Sequence, residues 1–265
     1  MYSKFASTAY QNSEASVTWC GIRLEDNQEF GQFLRETVSD RLNDSEGAND
    51  FQDHLRGLAL TGMGTDALEA VLRSESFEER GWAAGEALAE AILMKAHGVV
   101  FPWNMERDKR NSFASLQGAD IIGFQPINEG FQFVLGEVKT SSEASSPPGV
   151  MSGRSRDMGG QLVTLATDLS RIYTLLKWLL ARVKGKEYED AFNASCLRYF
   201  NSGNRAVSLF GILIRDTKVN EHDLSARGKK LGSLIYLPTA CTLCALYLPW
   251  SVDMLVSKIR EEGES

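Results

Sequence analysis

The sequence predicts an α/β protein with a central mixed β-sheet flanked by helices. Three patterns predict this class: a helix over residues 77–97, a β-hairpin within residues 118–139, and a second helix that begins near residue 161. A buried strand over residues 207–214 follows the second helix. Because helices and strands alternate along the chain, we expect the helices to cover a shared sheet.

Two regular patterns occur in the N-terminal part of the chain. Residues 17–24 (VTWCGIRL) are rich in β-forming residues and predict a strand, and residues 28–42 repeat apolar positions at helical spacing. Residues 43–73 are glycine-rich and predict only one short helix, near residues 66–72.

A change in composition near Ser74 divides the predicted chain into two parts. Residues 1–75 form an N-terminal α/β extension without recognisable chemistry, and we expect this extension to bind a partner. Residues 76–265 form the core. The core opens with the helix over residues 77–97, which ends at Gly98 because glycine readily adopts the left-handed conformation of a helix C-cap.

The β-hairpin consists of two alternating apolar runs, residues 118–125 and 131–139, separated by turn residues. If the turn is centred on its Asn-Glu dipeptide, paired residue numbers sum to 257 and Asp120 lies opposite Glu137. A turn longer by one residue changes this sum to 258 and places Asp120 opposite Val138 instead.

In the first register, Asp120 and Glu137 would have Cβ atoms about 5 Å apart. Two carboxylates at this distance repel each other unless a positive charge lies between them, and a hard cation, Mg²⁺ or Mn²⁺, fits that gap. Lys139 lies two residues after Glu137 and therefore points to the same face of the sheet. Such a group is typical of phosphodiester hydrolysis, in which the metal activates a water and the ammonium positions or deprotonates it. The alternative is a surface Glu-Lys pair on an edge strand, with Asp120 as a turn residue.

A second acidic residue lies two before a lysine, in Asp216-Thr217-Lys218 at the end of the buried strand. Unlike Glu137, Asp216 has no aspartate on a preceding hairpin strand that could pair with it, and no long amphipathic helix follows it. We therefore interpret Asp216 as unrelated to the predicted site.

A Ser-, Gly- and Pro-rich segment, residues 141–160, follows the hairpin and predicts a loop. Gln161 then opens the clearest helix in the chain. Its apolar residues repeat at helical spacing: Leu162, Leu165, Leu169, Ile172, Leu176, Leu179 and Val183.

The order of helix, hairpin with Asp120 and Glu137-Val138-Lys139, and helix resembles the core of the PD-(D/E)XK, or restriction-endonuclease-like, nucleases. The Gly-x-Asp and Glu-x-Lys-Thr motifs, with Gln161 at the start of the next helix, resemble the RecB-like branch. The resemblance spans roughly residues 77–215. It implies a restriction-endonuclease-like core, Mg²⁺-dependent endonuclease activity on DNA, and a contact between Gln161 and the site.

The resemblance also implies a further carboxylate from the helix before the hairpin. Glu79, Glu86 and Glu90 share one face of this helix, opposite its apolar stripe. Glu86 is the expected third catalytic and metal-binding carboxylate, because its small neighbours allow close packing against the hairpin. The alternative is a solvated acidic stripe.

More narrowly, the length, the N-terminal extension and the Gly-Glu-Val-Lys motif that contains Glu137 resemble the HamA family, the nuclease subunits of Hachiman anti-phage defence systems. This resemblance implies a superfamily 2 helicase partner, HamB-like, that restrains the nuclease until abnormal or damaged DNA releases it. The chain has no phosphate-loop pattern, so an ATP-driven step would belong to the partner. The alternative is a catalytically degenerate nuclease fold that serves as an interaction or DNA-sensing subunit.

The composition excludes several classes of protein. A net charge of −7 argues against a protein that coats nucleic acid by bulk electrostatics. Four cysteines are too few for a disulfide framework, and Cys241-x-x-Cys244 has no further ligands nearby, so we interpret these as core thiols. The uncharged residues 231–252 include two prolines and predict two buried elements. With no apolar core of a signal peptide at the N-terminus, we expect a cytoplasmic protein without a membrane span.

Overall fold

The computed structural model describes residues 4–58, 61–73, 81–104, 108, 118–152 and 157–261. Its strands are β1 (Ala6–Glu14), β2 (Val17–Leu24), β3 (Ile121–Ile127), β4 (Gly130–Ser141), β5 (Val207–Arg215) and β6 (Ala240–Tyr247). Its helices are α1 (Gln28–Phe33), α2 (Ser39–Asn43), α3 (Ser45–Leu58), α4 (Gly62–Arg73), α5 (Gly81–His97), α6 (Gly149–Ser152), α7 (Met158–Thr167), α8 (Leu169–Val183), α9 (Glu189–Asn201), α10 (Ser225–Gly232) and α11 (Leu255–Arg260). A π-helical segment, Leu34–Val38, joins α1 to α2, and 3₁₀ turns lie at Glu221–Asp223 and Val252–Met254.

The six strands form one mixed sheet in the order β1-β2-β6-β5-β4-β3. Strands β2, β6, β5 and β4 are parallel, and β1 and β3 run antiparallel at the two edges. Parallel neighbours require crossover connections, which are helical here: α6 to α9 connect β4 to β5, and α10 connects β5 to β6. The predicted α/β class, with a central mixed sheet flanked by helices, is confirmed.

The N-terminal strands belong to the same sheet as the core. β2 lies where residues 17–24 predicted a strand, and it pairs with β6 from Val17 opposite Cys241 to Arg23 opposite Tyr247. β1 pairs with β2 and forms the outer edge of the sheet, so the sheet extends across the boundary predicted near residue 75. The sequence did not indicate β1, because its nine residues (ASTAYQNSE) are polar and mostly exposed.

The sheet buries apolar residues on both faces. Helix α5, the α1–α2 segment and α11 pack against one face together with Val138 and Ile212, and we call it the α5 face. Helices α7, α8 and α9 pack against the other face together with Leu135 and Leu213, and we call it the α7 face. Because strand residues alternate between faces, the odd-numbered residues of β4 point to the α7 face.

The long helix predicted after Gln161 is two helices, α7 and α8, separated at Asp168. The backbone of Asp168 is extended, and its side chain accepts hydrogen bonds from the N–H groups of Ser170 and Arg171. This N-cap satisfies donors that the first turn of a helix leaves unpaired. The apolar spacing continues across the break because both helices pack against the α7 face.

Other predicted elements differ mainly in their number and bounds. Helix 28–42 is observed as α1, the π-helical segment and α2, and Gly98 ends α5 with φ of 63° and an N–H that donates to the carbonyl of Met94. Helix α3 was not predicted, because Gly47 and Gly57 interrupt its pattern. Helix α6 and the start of α7 lie within the predicted loop, and α9 was missed because few of its residues are buried.

Helix α5 is buried on nearly all sides, since residues 83–93 are all buried. Glu90 is fully buried, and Nε of Arg41 on α2 donates to its Oε2 at 2.7 Å. Glu86 is also buried, whereas Glu79 lies outside the described residues. The alternative of a solvated acidic stripe is therefore wrong for Glu86 and Glu90, because α2, the π-helical segment and α11 also pack on α5.

Among the described residues, no helix is both long enough and apolar enough to cross a membrane. The uncharged residues 231–252 do not form one helix. They are divided between the end of α10, the buried strand β6 and the start of the 3₁₀ turn at Val252–Met254.

Candidate active site

The register of the hairpin brings the two predicted carboxylates to the same place. Ile121 pairs with Gly136, and paired residue numbers sum to 257, as predicted from the shorter turn. The register with the longer turn is therefore excluded. Asp120 lies one residue before Ile121 and Glu137 one residue after Gly136, so both side chains lie at the same end of the ladder.

Asp120 is held at this end by backbone hydrogen bonds. Its N–H donates to the carbonyl of Gly136 at 3.0 Å, and its Oδ2 accepts from the N–H of Val138 at 2.9 Å. Gly118, two residues earlier, has φ of 119°, a conformation that residues with a side chain rarely adopt. The glycine of the Gly-x-Asp motif therefore lets the chain turn into β3 with Asp120 directed at β4.

Among the described residues, the positive charge nearest the two carboxylates belongs to Lys139. Its Nζ lies 3.1 Å from Oε2 of Glu137 and 3.9 Å from Oδ2 of Asp120. The Glu137 side chain is 2% exposed, compared with 16% for Asp120 and 22% for Lys139. Since β4 lies between β3 and β5, the alternative of a surface Glu-Lys pair on an edge strand is wrong.

Burial, together with the neighbouring Asp120 carboxylate, raises the pKa of Glu137 to about 8, against the opposing effect of the Lys139 ammonium. At neutral pH the Glu137 carboxyl is therefore mostly protonated. A carboxyl group whose pKa is raised by burial and by a specific charged neighbour is typical of functional sites.

Helix α7 approaches the sheet closely beside Glu137. Glu137 pairs with Gly211 of β5, where an added Cβ would lie 2.7 Å from the sulfur of Met158 and 3.0 Å from a methyl group of Leu162. Gln161 belongs to the same turn of α7. Its Oε1 is buried and has no hydrogen-bond partner within the described part of the chain. A buried oxygen of this kind is costly unless a ligand or a water satisfies it.

Glu86 is not brought to the same cluster. Its helix, α5, packs on the α5 face, where an added Cβ at Gly85 would lie 2.9 Å from Oγ1 of Thr140. Glu137 points to the opposite face, because it lies an odd number of residues from Thr140 on the same strand. No group of three His, Cys, Asp or Glu residues that could hold a metal ion occurs within the described ranges.

The oxygen donors at the site fit a hard divalent cation. Mg²⁺ is usually bound through one or two carboxylates, with waters and substrate phosphates completing its octahedral shell. Asp120 and Glu137 would hold the predicted Mg²⁺ or Mn²⁺, and Gln161 carries an unpaired amide oxygen of the same donor type on the turn of α7 that packs against Gly211. No soft ligand lies among these three side chains, which disfavours zinc.

A buried arginine fixes the segment that follows Lys139. Arg215, the last residue of β5, donates to the carbonyl of Ser141 at 3.3 Å and to that of Ser145 at 3.0 Å. Its Nε lies 3.4 Å from Oδ2 of Asp223, and both side chains are fully buried. Nothing in the sequence indicated Arg215, since only the pairing of β4 with β5 places it beside the strand of Lys139.

Asp216, the acidic residue of the second Asp-x-Lys pattern, has structural contacts. Its Oδ2 accepts from Oγ of Ser142 at 2.8 Å and from the N–H of Val252 at 2.9 Å. These bonds join the end of β5 to the segment after β4 and to the C-terminal 3₁₀ turn, in agreement with its interpretation as unrelated to the site.

Cys241 and Cys244 lie on opposite faces of β6. Residues three apart on a strand point in opposite directions, so the two thiols cannot hold one ion together. Burial raises the pKa of Cys241 to about 12. Both features agree with core thiols.

No protein-family model matches the chain, and a search of curated proteins finds no significant match.

Proposed function

We propose that the chain is a metal-dependent nuclease of the PD-(D/E)XK class that hydrolyses phosphodiester bonds in DNA. The observation that carries this proposal is the convergence of Asp120, Glu137 and Lys139 at one end of the β3–β4 hairpin, with Nζ of Lys139 within 3.9 Å of both carboxylates. The order of elements, with α5 before the hairpin and α7 after it, is that expected of a restriction-endonuclease-like core.

Each residue of the site has a distinct role in this proposal. Asp120 and Glu137 would hold the cation, which when bound lowers the pKa of a water and neutralises charge on the phosphate. Nζ of Lys139 lies beside both carboxylates, where it would orient the attacking water or exchange a proton with it. Gln161 would contribute its unpaired amide oxygen. Glu86 has no role here, because its helix packs on the opposite face.

More specifically, we propose that the chain is a HamA-type effector subunit of an anti-phage defence complex, restrained by a superfamily 2 helicase of the HamB type. The net charge of −7 disfavours tight DNA binding by the chain alone, and the sequence has no phosphate-loop pattern for an ATP-driven step. Both features support a partner protein. Helices α3 and α4 support a protein partner, because large apolar side chains on them are between 58% and 85% exposed: Phe51, Leu58, Met63 and Val71.

Cleavage of supercoiled plasmid by the full chain tests the activity. Nicking is expected with Mg²⁺ or Mn²⁺, and we expect none in EDTA or with the double variant Glu137→Ala, Lys139→Ala. Asp216→Ala is the matched control, because Asp216 belongs to the other acidic-x-Lys pattern and accepts hydrogen bonds from Ser142 and Val252 instead. Metal-dependent nicking that survives in the double variant would contradict the proposed site.

The helicase complex is the second sample for the same assay. If the chain is inactive alone but cleaves damaged DNA in the complex, the restraint by a partner is supported. If the complex is also inactive with both metals, the nuclease proposal fails.

A degenerate nuclease fold that only binds a partner or DNA is the second candidate function. It is favoured by the position of Lys139, whose ammonium already neutralises the carboxylate pair without a metal. Calorimetric titration with Mn²⁺ separates the two candidates. Saturable binding that Asp120→Ala abolishes supports the nuclease, and no binding at millimolar Mn²⁺ supports the degenerate fold.

A further inference from the structure

Helix α8 is strongly basic in an acidic chain. It carries Arg171, Lys177 and Arg182, Lys184 follows its last residue, and residues 169–184 contain no Asp or Glu. The chain as a whole has a net charge of −7, so this helix is a local exception. A basic segment of this kind attracts polyanions at short range.

Two of these cations hold α8 in place. Nη1 of Arg171 donates to the carbonyl of Gly118 at 3.1 Å, which ties the start of α8 to the segment that leads into Asp120. Nε of Arg182 lies 3.0 Å from Oδ1 of Asp108, and its guanidinium stacks on Trp178 at 3.7 Å from the ring centroid. The start of α8 is therefore tied to the segment that leads into Asp120, and its end is tied to Asp108.

The outer face of α8 combines the remaining cations with an aromatic ring. Tyr173 is 69% exposed, Lys177 and Lys184 are exposed, and neither lysine has an ion pair within the described residues. Spacings of four and seven residues place the three side chains on one stripe of the helix. At 1.5 Å per residue, the distance along the axis from Arg171 to Lys184 is about 20 Å.

We propose that this outer face of α8 binds the DNA strand that enters or leaves the active site. Lys177 and Lys184 contact backbone phosphates, and Tyr173 stacks on an unpaired base. Lysines along a groove with an interleaved aromatic ring are typical of surfaces that bind single-stranded nucleic acid without sequence preference. The inference rests on the proposed function, because it takes Asp120 as the point where the strand is cut.

A basic helix with exposed apolar residues is also typical of binding to anionic membranes. The anchoring of α8 at Gly118 favours DNA, since it ties the start of the basic helix to the segment that leads into Asp120. Binding to vesicles is therefore an outcome of the test.

Fluorescence anisotropy of a labelled single-stranded 20-nucleotide DNA tests the inference, with the full chain in EDTA so that no cleavage occurs. Lys177→Ala, Lys184→Ala is expected to weaken binding about tenfold and to reduce the salt slope of log affinity by about 1.4. Tyr173→Ala is expected to weaken binding with the salt slope unchanged. The matched control is Lys229→Ala, Lys230→Ala, which removes two exposed lysines from α10 at the β1–β2 side of the sheet.

The inference is overturned if the wild-type chain does not bind this DNA at low salt, or if the α8 and α10 double variants lose affinity equally. It is also overturned if the α8 variant loses binding only to phosphatidylserine vesicles. The plasmid assay separates the two proposals. If the α8 variant nicks plasmid with an unchanged KM, the inference about α8 is overturned and the nuclease proposal stands. If DNA binding depends on α8 but neither the chain nor the helicase complex nicks plasmid, the nuclease proposal is contradicted and the DNA-binding surface stands.

Discussion

At the scale of single residues, the raised pKa of Glu137 makes the free energy of unfolding depend on pH. Its folded-state pKa of about 8 lies above the reference value of 4.5. Between these values the folded protein binds more protons than the unfolded chain, so the free energy of unfolding falls as pH rises. This stability is fully present below about pH 4.5 and is lost as pH rises through 8.

Glu137→Gln should remove this pH dependence. We expect the variant to gain stability relative to wild type as pH rises from 5 to 9, by at most about 1.4 kcal/mol per pH unit. Guanidinium unfolding in EDTA at pH 5, 7 and 9 measures the difference. Glu25→Gln, at an exposed position, controls for the loss of one negative charge. Parallel stability profiles for wild type and Glu137→Gln would show that the folded-state pKa is not raised.

Lys139→Ala should separate metal binding from turnover. Removing the ammonium leaves both carboxylates in place, so Mn²⁺ affinity by calorimetry should be retained or increased. Cleavage should fall by at least about 100-fold, because proton transfer to or from a positioned group typically contributes that much. Cleavage within tenfold of wild type would show that Lys139 serves only to neutralise the carboxylates.

At the scale of elements, the site depends on close approach between β4, β5 and α7. An added Cβ at Gly136 would clash with the carbonyl oxygen of Phe210, so the backbone of β4 or β5 would have to shift at this point. Gly211 plays the corresponding role between β5 and α7. The sequence contained both glycines, but their roles follow from the strand order, because neither neighbour is close in sequence.

Gly211→Ala should crowd the side chains of Met158, Leu162 and Leu243, which must shift to make room for the added methyl group. We expect a loss of about 1–3 kcal/mol in the free energy of unfolding, as for other overpacked cores. Gly57→Ala on α3 is the matched control, since its added Cβ meets nothing within 4 Å and alanine favours a helix by up to about 1 kcal/mol. Chemical denaturation of both variants provides the measurement. Equal stability changes in the two variants would contradict the close packing of α7.

At the scale of the whole molecule, one sheet contains both the N-terminal strands and the candidate site. Helices α3 and α4 contribute no described residue to the apolar cores on the α5 face and the α7 face of this sheet. Helix α3 contacts α4 and α2, and the described side chains of α3 and α4 include none that is buried. Apolar side chains that contribute nothing to the core are available for a partner.

The double variant Phe51→Ser, Met63→Ser should therefore leave the fold intact and weaken the complex with the helicase. We expect an unchanged Tm for the isolated chain and at least about a tenfold loss of affinity, because two apolar anchors are removed from the proposed contact. Co-purification and titration with the helicase measure the loss. Leu197→Ser, at an exposed position on α9, is the control. Wild-type affinity of the double variant would exclude α3–α4 as the contact.

The local geometry of the candidate site was predictable from the sequence alone. Alternation and turn residues determined the hairpin and its register, and the register placed Asp120 and Glu137 side by side. Helical spacing determined the apolar face of α7 and α8. These features depend on neighbours within about twenty residues, so short-range physics is sufficient for them.

Only the tertiary structure determined which strands are neighbours in the sheet and which residues lie on the same face. The pairing of β2 with β6 joins the N-terminal strands to the core, and the pairing of β4 with β5 brings Arg215 to the segment after Lys139. The alternation of faces along β4 separates Glu86 from Glu137. Contacts of this kind join residues far apart in the chain, and only the packing of the complete sheet determines them.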